Sequence, residues 1–316
     1  MVHRPSVLCP VDFSDASRGA LRYAATLAEH FQASLTVMTV DDPLLADAAR
    51  VEWGEGWLST QSNRQLEAFV KDTFSHLQPR LPELRRMLAT GKPAPEILRA
   101  ASDQHADVIV MSSHGATGFR KLMFGSTTER VLRETPIPVL ITPATDPGPG
   151  TLEEVRTAIR TVLVPVDLTP VTGTQVQIAR GLAEALDASI VLTHILEPVA
   201  ARPALYALVP HIDSERRQRW SDTLSRLKDS LPPRLRPEIV LGYGNPAEEI
   251  ARIARERQAG AIVMGLHSAE RSGPRMGSVT YRVLCQVPAL IVALPPGIEK
   301  MVVSRQREVA HASVTI

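Results

Sequence analysis

The chain has 316 residues, 44% of them hydrophobic and 22% charged, and a formal net charge of +1; this length allows about two ordinary domains, and so balanced a charge gives no electrostatic reason to expect nucleic acid or an anionic membrane as partner. No apolar run approaches the roughly 18 residues of a membrane span, and the opening MVHRPSVLCP lacks the apolar stretch and small-residue cleavage pattern of a secretory signal, so a cytoplasmic location is expected. Cys9 and Cys285 stand in apolar contexts with no C-x-x-C pair, which argues for reduced, buried thiols over a zinc site or disulfide, and Trp53, Trp57 and Trp220 are not interleaved with basic residues as a single-strand stacking surface requires.

Along the first half, short runs rich in Val, Ile and Leu alternate with longer segments of helical period. Strands are predicted near Ser6 to Val11, Ser34 to Val40, Leu84 to Ala89, Val108 to Ser112 and Val139 to Thr142, apolar on both faces as buried parallel strands are. Between the first two, Asp15 to His30 sets Ala20, Tyr23, Ala24, Leu27 and Ala28 on one helical stripe. Two longer connections, Asp41 to Thr60 and Glu197 to Ile212, have the length of lids, partner surfaces or mobile loops.

The second half repeats the first. VLCPVDFS at Val7 to Ser14 returns as VLVPVDLT at Val162 to Thr169, GKPAPEIL from Gly91 as GNPAEEIA from Gly244, VIVMSSHG from Val108 as AIVMGLHS from Ala261, and GSTTERVL from Gly125 as GSVTYRVL from Gly277. Four matches in the same order exclude chance. The Pro/Gly-rich PATDPGPGT, Pro143 to Thr151, reads as a linker, so the expected division is a domain over 1–145, a second over 152–295 and a tail over 296–316. The fold class expected is α/β: two tandem doubly wound, five-stranded, mainly parallel sheets with flanking helices. Ligands of such sheets bind beyond the strands' carboxyl ends, at the switch in strand order. The apolar edges VLIT (Val139 to Thr142) and LIVA (Leu290 to Ala293) are where pseudo-symmetric packing of the copies is expected.

The stretch SSHGATGFRKLMFGSTTERVL, Ser112 to Leu132, joins the fourth strand to a helix predicted over Ser126 to Arg133, with Ser126 and Glu129 spaced as a capping box. Amide groups and the positive dipole end converge at such a helix start, a favourable spot for phosphate where no side chain blocks approach. Gly115, Gly118 and Gly125 remove that block, Ser126 and Thr127 add hydroxyls, and Arg120 and Lys121 either lean over the charge or stay solvated. The plainer account is that the glycines serve positive backbone dihedrals and Ser126 is a cap worth ~1 kcal/mol. GLHSAERSGPRMGS in the second half again joins an apolar strand to a Gly-Ser helix start. A second constellation is PVD at the end of each first strand: Asp12 and Asp167 face the same crevice, with helix capping as their alternative role, although Ser14 and Thr169 are equally placed for it.

On these residues each half resembles a universal stress protein domain and the whole resembles the tandem type: PVD followed by Phe13-Ser14, the turn G-x-P-A-x-E-I, the fourth-strand IVM and the loop ending in Gly-Ser, over roughly Ser6 to Thr142 and Thr161 to Ala293. In the ATP-binding branch the loop reads Gly, two residues, Gly, nine residues, then Gly with Ser or Thr. The first half matches with Gly115, the nine residues Ala116 to Phe124 and Gly125-Ser126, but has Ser112 for the first glycine; the second keeps Gly265, has Ser268 for the second glycine and only eight residues, Ala269 to Met276, before Gly277-Ser278. The resemblance implies ATP or ADP, with Mg²⁺ an optional companion. In the first half it implies binding by Pro10, Asp12, Val40, Met111, Ser112, His114, Gly115, Gly118, Gly125, Ser126 and Thr127. The weaker second site would use Pro165, Asp167, Ile195, Gly265, His267, Gly277, Ser278 and Val279. The expected role is a stress-response regulator with ATP as a conformational signal, no catalytic or metal-ligating residues, and a homo-oligomer or protein partner.

Other signals point less far. GYGNPA, Gly242 to Ala247, mimics a dinucleotide fingerprint, but no acidic residue ends the next strand, and Lys92 is followed by Pro93, so no Walker A sequence exists and efficient ATP turnover is not expected. His114 and His267 occupy equivalent loop positions without a nucleophile at a fixed spacing in both halves, which reads as loop hydrogen bonding. The alternatives to an ATP-binding regulator are a scaffold of the same fold that acts through protein partners, for which Ser112 and Ser268 speak, and a slow ATPase.

Overall fold

The computed structural model describes residues 4–75, 77, 79–115, 125–169, 171–199, 209–266 and 276–301. Contacts divide the chain into two compact units, the first up to Val155 and joined by the described residues from Gly297, the second Arg156–Pro296.

The first unit runs β1 (Ser6–Pro10), α1 (Asp15–His30), β2 (Ser34–Asp41), α2 (Pro43–Trp53), α3 (Trp57–Phe74), β3 (Leu84–Thr90), α4 (Pro93–Asp103), β4 (Val108–Ser112), α5 (Ser126–Glu134) and β5 (Val139–Thr142). Its strands are parallel and ordered β3-β2-β1-β4-β5. The chain moves outward from β1 to β3, then returns to lay β4 on the other side of β1, so the switch in direction falls between β1 and β4. Those two strands pair only at Val7 with Val108 and Leu8 with Ile109, and part before their carboxyl ends. Parallel sheets of this kind place their crevice at such a switch.

The second unit, entered through α6 (Leu152–Ala158), repeats the plan: β6 (Thr161–Pro165), α7 (Thr172–Leu186), β7 (Ser189–Leu196), α8 (Val209–Asp229), β8 (Glu238–Tyr243), α9 (Pro246–Glu256), β9 (Ala261–Gly265), α10 (Ser278–Gln286) and β10 (Leu290–Leu294). The parallel order β10-β9-β6-β7-β8 puts its switch between β6 and β9, which pair only at Val162 with Ala261 and Leu163 with Ile262. The α/β class and the five parallel strands expected of each half are therefore present.

Burial explains the apolar runs. Leu8, Cys9, Leu35, Val37, Ile109 and Val139 are fully buried, as are Val162, Leu163, Ile190 and Ile262 in the second unit. Helix starts follow their local chemistry: Ser14 caps α1 by accepting from Ser17 N, and Asn245 caps α9, with Pro246 in its first turn. Thus GYGNPA is a strand-to-helix turn. Cys285 is only half-buried, not buried as expected, because it lies off the α10 stripe of Thr280, Val283 and Leu284 that faces the core.

Two segments differ from the sequence reading. The connection after β2 is mostly helical: Asp42 caps α2 through Leu44 N at 2.7 Å, and of that helix only Ala49 is buried. The stretch read as a linker lies against α1. Tyr23 Oη donates to Asp146 at 2.8 Å, Arg22 donates to Pro147 O at 3.2 Å, and a methyl group at Gly19 would overlap the Asp146 carbonyl. Burial and the Asp146 carboxylate together push the Tyr23 phenol well above its ordinary pKa. Gly148, at φ +79°, makes the turn that brings this segment over Gly19.

Candidate nucleotide-binding mouth

At the end of β1, Val11 N donates to Met38 O at 2.8 Å, extending the pairing by one residue beyond Pro10. Asp12 then turns the chain: its Oδ1 accepts from Ser14 N at 3.2 Å and Ser14 Oγ at 2.5 Å. The intervening Phe13 has φ +65°, a left-handed conformation unusual for a bulky side chain. Ser14 rather than Asp12 caps α1, so the capping alternative for Asp12 falls away. The second unit repeats each feature: Val166 N donates to Thr193 O at 2.8 Å, Asp167 Oδ1 accepts from Thr169 N and Oγ1 at 3.3 and 2.9 Å, and Leu168 has φ +60°. Both aspartates are exposed at the mouth.

The other wall comes from the end of β4. Met111 and Ser112 are buried, and Ser113 N continues the pairing to Thr142 O at 2.9 Å. Ser112 Oγ turns back to donate to His114 O at 2.5 Å, so its hydroxyl is engaged within the loop's own backbone. His114 Nδ1 lies 3.0 Å from Ser113 Oγ, the loop hydrogen bonding expected of it. Gly115 packs against Asp12, because a Cβ there would overlap Oδ2 of the carboxylate. Neither Gly115 nor Gly125 has a positive φ, so close approach, not backbone dihedral, accounts for glycine at 115.

The loop's ends meet, since Gly125 N donates to Ser113 O at 3.0 Å. Gly118, Arg120 and Lys121 lie outside the described residues. The expected capping box is absent. Gly125 is itself the N-cap and offers no side chain, Ser126 is the first helical residue, and Glu129 pairs with Arg133 one turn on. The first-turn amide groups of α5, which no helix satisfies internally, are therefore left without a side-chain cap beside exposed Ser126 and half-buried Thr127. A residue missed in the sequence, Thr128, latches the helix start to the strand: its Oγ1 donates to Ser112 O at 3.0 Å. The signal was present, for Thr280 recurs at the same place in the repeat and donates to Gly265 O at 2.9 Å.

Val40 is half-buried one residue before the end of β2, at the same carboxyl end of the strands as Asp12. In the second unit Ile195 sits at the matching place on β7, Gly265 ends β9, and Gly277 N donates to Leu266 O at 2.8 Å and caps α10 ahead of Ser278 and Val279. His267 and Ser268 lie outside the described residues. Two side chains mark this mouth as different. Gln175, buried under the crevice, donates Nε2 to Pro165 O at 2.7 Å and Val263 O at 2.9 Å, tying the parting strands together. His194 Nδ1 lies 2.8 Å from Val166 O, with its ring on Trp220 at 4.7 Å, and burial lowers its pKa. Among the described residues, no three His, Cys, Asp or Glu side chains gather as a metal site, and no helix is long and apolar enough to cross a membrane.

The profile of the universal stress protein family matches the chain twice, at residues 4–143 and 158–293. A universal stress protein of Thermus aquaticus is 31% identical over 137 residues, 43% of this chain and 96% of that relative. Another, from Methanocaldococcus jannaschii, is 28% identical over 137 residues, 43% of this chain and 79% of its own. A solved universal stress protein from Archaeoglobus fulgidus shares the fold with a TM-score of 0.63 at 18% identity, over 92% of this chain and 98% of that one. The strand, aspartate turn and glycine-capped helix built twice into one chain thus coincide with two family matches, and the chain belongs to the universal stress protein family as a tandem pair of its domains.

Proposed function

We propose that the first unit binds an adenine nucleotide, ATP or ADP, at the mouth between β1 and β4, and that occupancy rather than turnover is its function. The observation that carries this reading is the meeting of Asp12 with Gly115 beside a helix start capped by a glycine: a polar turn, a backbone stripped of Cβ, and the positive end of α5 converge on one crevice. Phosphates would lie on the first turn of α5 near Ser126 and Thr127, and the nucleoside would extend toward Val40. The second unit binds more weakly in this proposal, because Gln175 ties β6 and β9 together below the mouth and the loop before Gly277 is a residue shorter. Chemistry on the nucleotide is not part of the proposal, since Lys92 is followed by Pro93 and the sequence carries no Walker A motif.

The test is release of adenine nucleotide on denaturing the purified chain, followed by titration with ATP and ADP. Binding near one nucleotide per chain that Asp12→Ala weakens at least tenfold supports the reading. Absence of binding in the native chain refutes it. A second reading, a scaffold for a protein partner or a second copy of the chain, is favoured by one observation: α2 exposes Leu44 and Val51 at 78% and 82%, next to the stacked pair Trp53 and Trp57.

A further inference from the structure

β2 does not end on Val40 but on Asp41. Its carbonyl accepts from Gly91 N at 3.0 Å, and its carboxylate Oδ1 accepts from Ser62 Oγ of α3 at 2.9 Å. The side chain is half-buried, and burial raises its pKa against the opposing effect of the Ser62 hydrogen bond. Among the described residues no cation stands beside Asp41, and its hydrogen bond from Ser62 uses one of two oxygens. A partly desolvated carboxylate without a counter-ion is a costly residue to keep at a strand end, and the second unit does without one. The same place in the second unit, identified by Gly244 N donating to Leu196 O at 3.0 Å, holds a buried leucine.

The position also says what such an acceptor can meet. The sheet order places β2 and β4 on opposite sides of β1, about 10 Å apart at the usual strand spacing. A ligand with its phosphates on α5, which follows β4, therefore extends its nucleoside toward β2, and the sugar hydroxyls, lying between phosphates and base, come within that span. A carboxylate repels phosphate but accepts from a hydroxyl. Building on the nucleotide reading above, we propose that Asp41 is a specificity-determining residue of the first unit: its carboxylate accepts a hydrogen bond from a sugar hydroxyl and turns away nucleotides that carry a phosphate there.

The full chain and two variants decide this by calorimetric titration with ATP, inorganic tripolyphosphate and adenosine 3′,5′-bisphosphate. Asp41→Ala should weaken ATP about tenfold, the loss of one hydrogen bond to a charged group, and leave tripolyphosphate within twofold. Asp41→Asn, which keeps an acceptor for Ser62 and so preserves the docking of α3, should improve the bisphosphate relative to ATP at least fivefold. The proposal is overturned if both variants hold ATP within twofold of the native chain, or if tripolyphosphate weakens in step with ATP. A native chain that binds no nucleotide removes the underlying reading and this one with it, whereas tight native binding indifferent to residue 41 removes only this one.

Discussion

Oδ2 of Asp12 occupies the space that a Cβ on residue 115 would need, so the aspartate turn after β1 and the glycine after β4 are one device built from two distant parts of the sequence. The obstacle is the tip of a side chain, which can swing away, unlike a backbone atom. Gly115→Ala should therefore cost at most about 1 kcal/mol of stability, while displacing Asp12 from its turn with Ser14. If both residues act through the same carboxylate, Gly115→Ala and Asp12→Ala each weaken ATP and the double variant is no worse than the stronger single one. Additive losses in a titration of all four proteins would separate the two residues and break the device apart.

A different glycine meets backbone. Gly19 lies inside α1 under the carbonyl of Asp146 and close to Pro147, neither of which can rotate out of the way. Gly19→Ala should destabilise the first unit by about 2 kcal/mol, the ordinary cost of forcing a methyl group into a packed contact. Gly181→Ala in α7, where nothing lies within 4 Å of the added carbon, should stabilise by about 0.5 to 1 kcal/mol through helix propensity alone. Urea unfolding of the two variants measures the contrast, and equal midpoints would mean that the segment around Asp146 is not held on α1.

These two glycines also show how far the residues could be read in advance. The strands, the repeat and the Asp12 turn were legible because buried parallel strands carry unbroken apolar runs and because the same words occur twice. Pro143 to Thr151 was not, since Pro and Gly signal a linker by composition whether or not a neighbour lies close; the clue was Gly19, a helix-interior glycine whose reason is the approach of that very segment. α2 escaped for the opposite cause. Asp42-Pro43 is a sound helix start, but Leu44, Leu45, Val51 and Trp53 are exposed, so no buried stripe marked the helix that follows. At Ser126 the spacing to Glu129 suggested a capping box one residue late, because glycine as an N-cap leaves no side-chain signature.

Thr128 and Thr280 fix the helix starts to their strands by hydrogen bonds to Ser112 O and Gly265 O. Thr128→Val keeps the shape and removes the donor, leaving a buried carbonyl without it. The expected loss is about 1 to 2 kcal/mol, together with faster exchange of the Glu129 amide, whose bond to Gly125 O is the first of α5. Thr280→Val should do the same for α10. Exchange rates unchanged in both would show the latch to be passive.

His194 gives the second unit a dependence on pH whose sign follows from its burial. Desolvation on the face of Trp220 lowers its pKa below the ordinary 6.5, against the opposing influence of the Val166 carbonyl and Asp167, with Arg216 adding to the fall. The folded state thus resists the proton that the unfolded chain accepts, so the unfolded chain binds more protons in the window between the lowered value and 6.5. Stability is complete above that window and declines as pH falls through it. His194→Phe retains a ring against Trp220 but cannot titrate, and it gives up the bond to Val166 O at 2.8 Å. It should cost about 1 kcal/mol at pH 8 and lose less than the native chain on going to pH 5.5. Thermal melts across that range check it: parallel losses in the two proteins would place the titrating group elsewhere, whereas a flattened slope assigns the destabilising proton to this ring, which sits 2.8 Å from Val166 O in the turn ahead of Asp167.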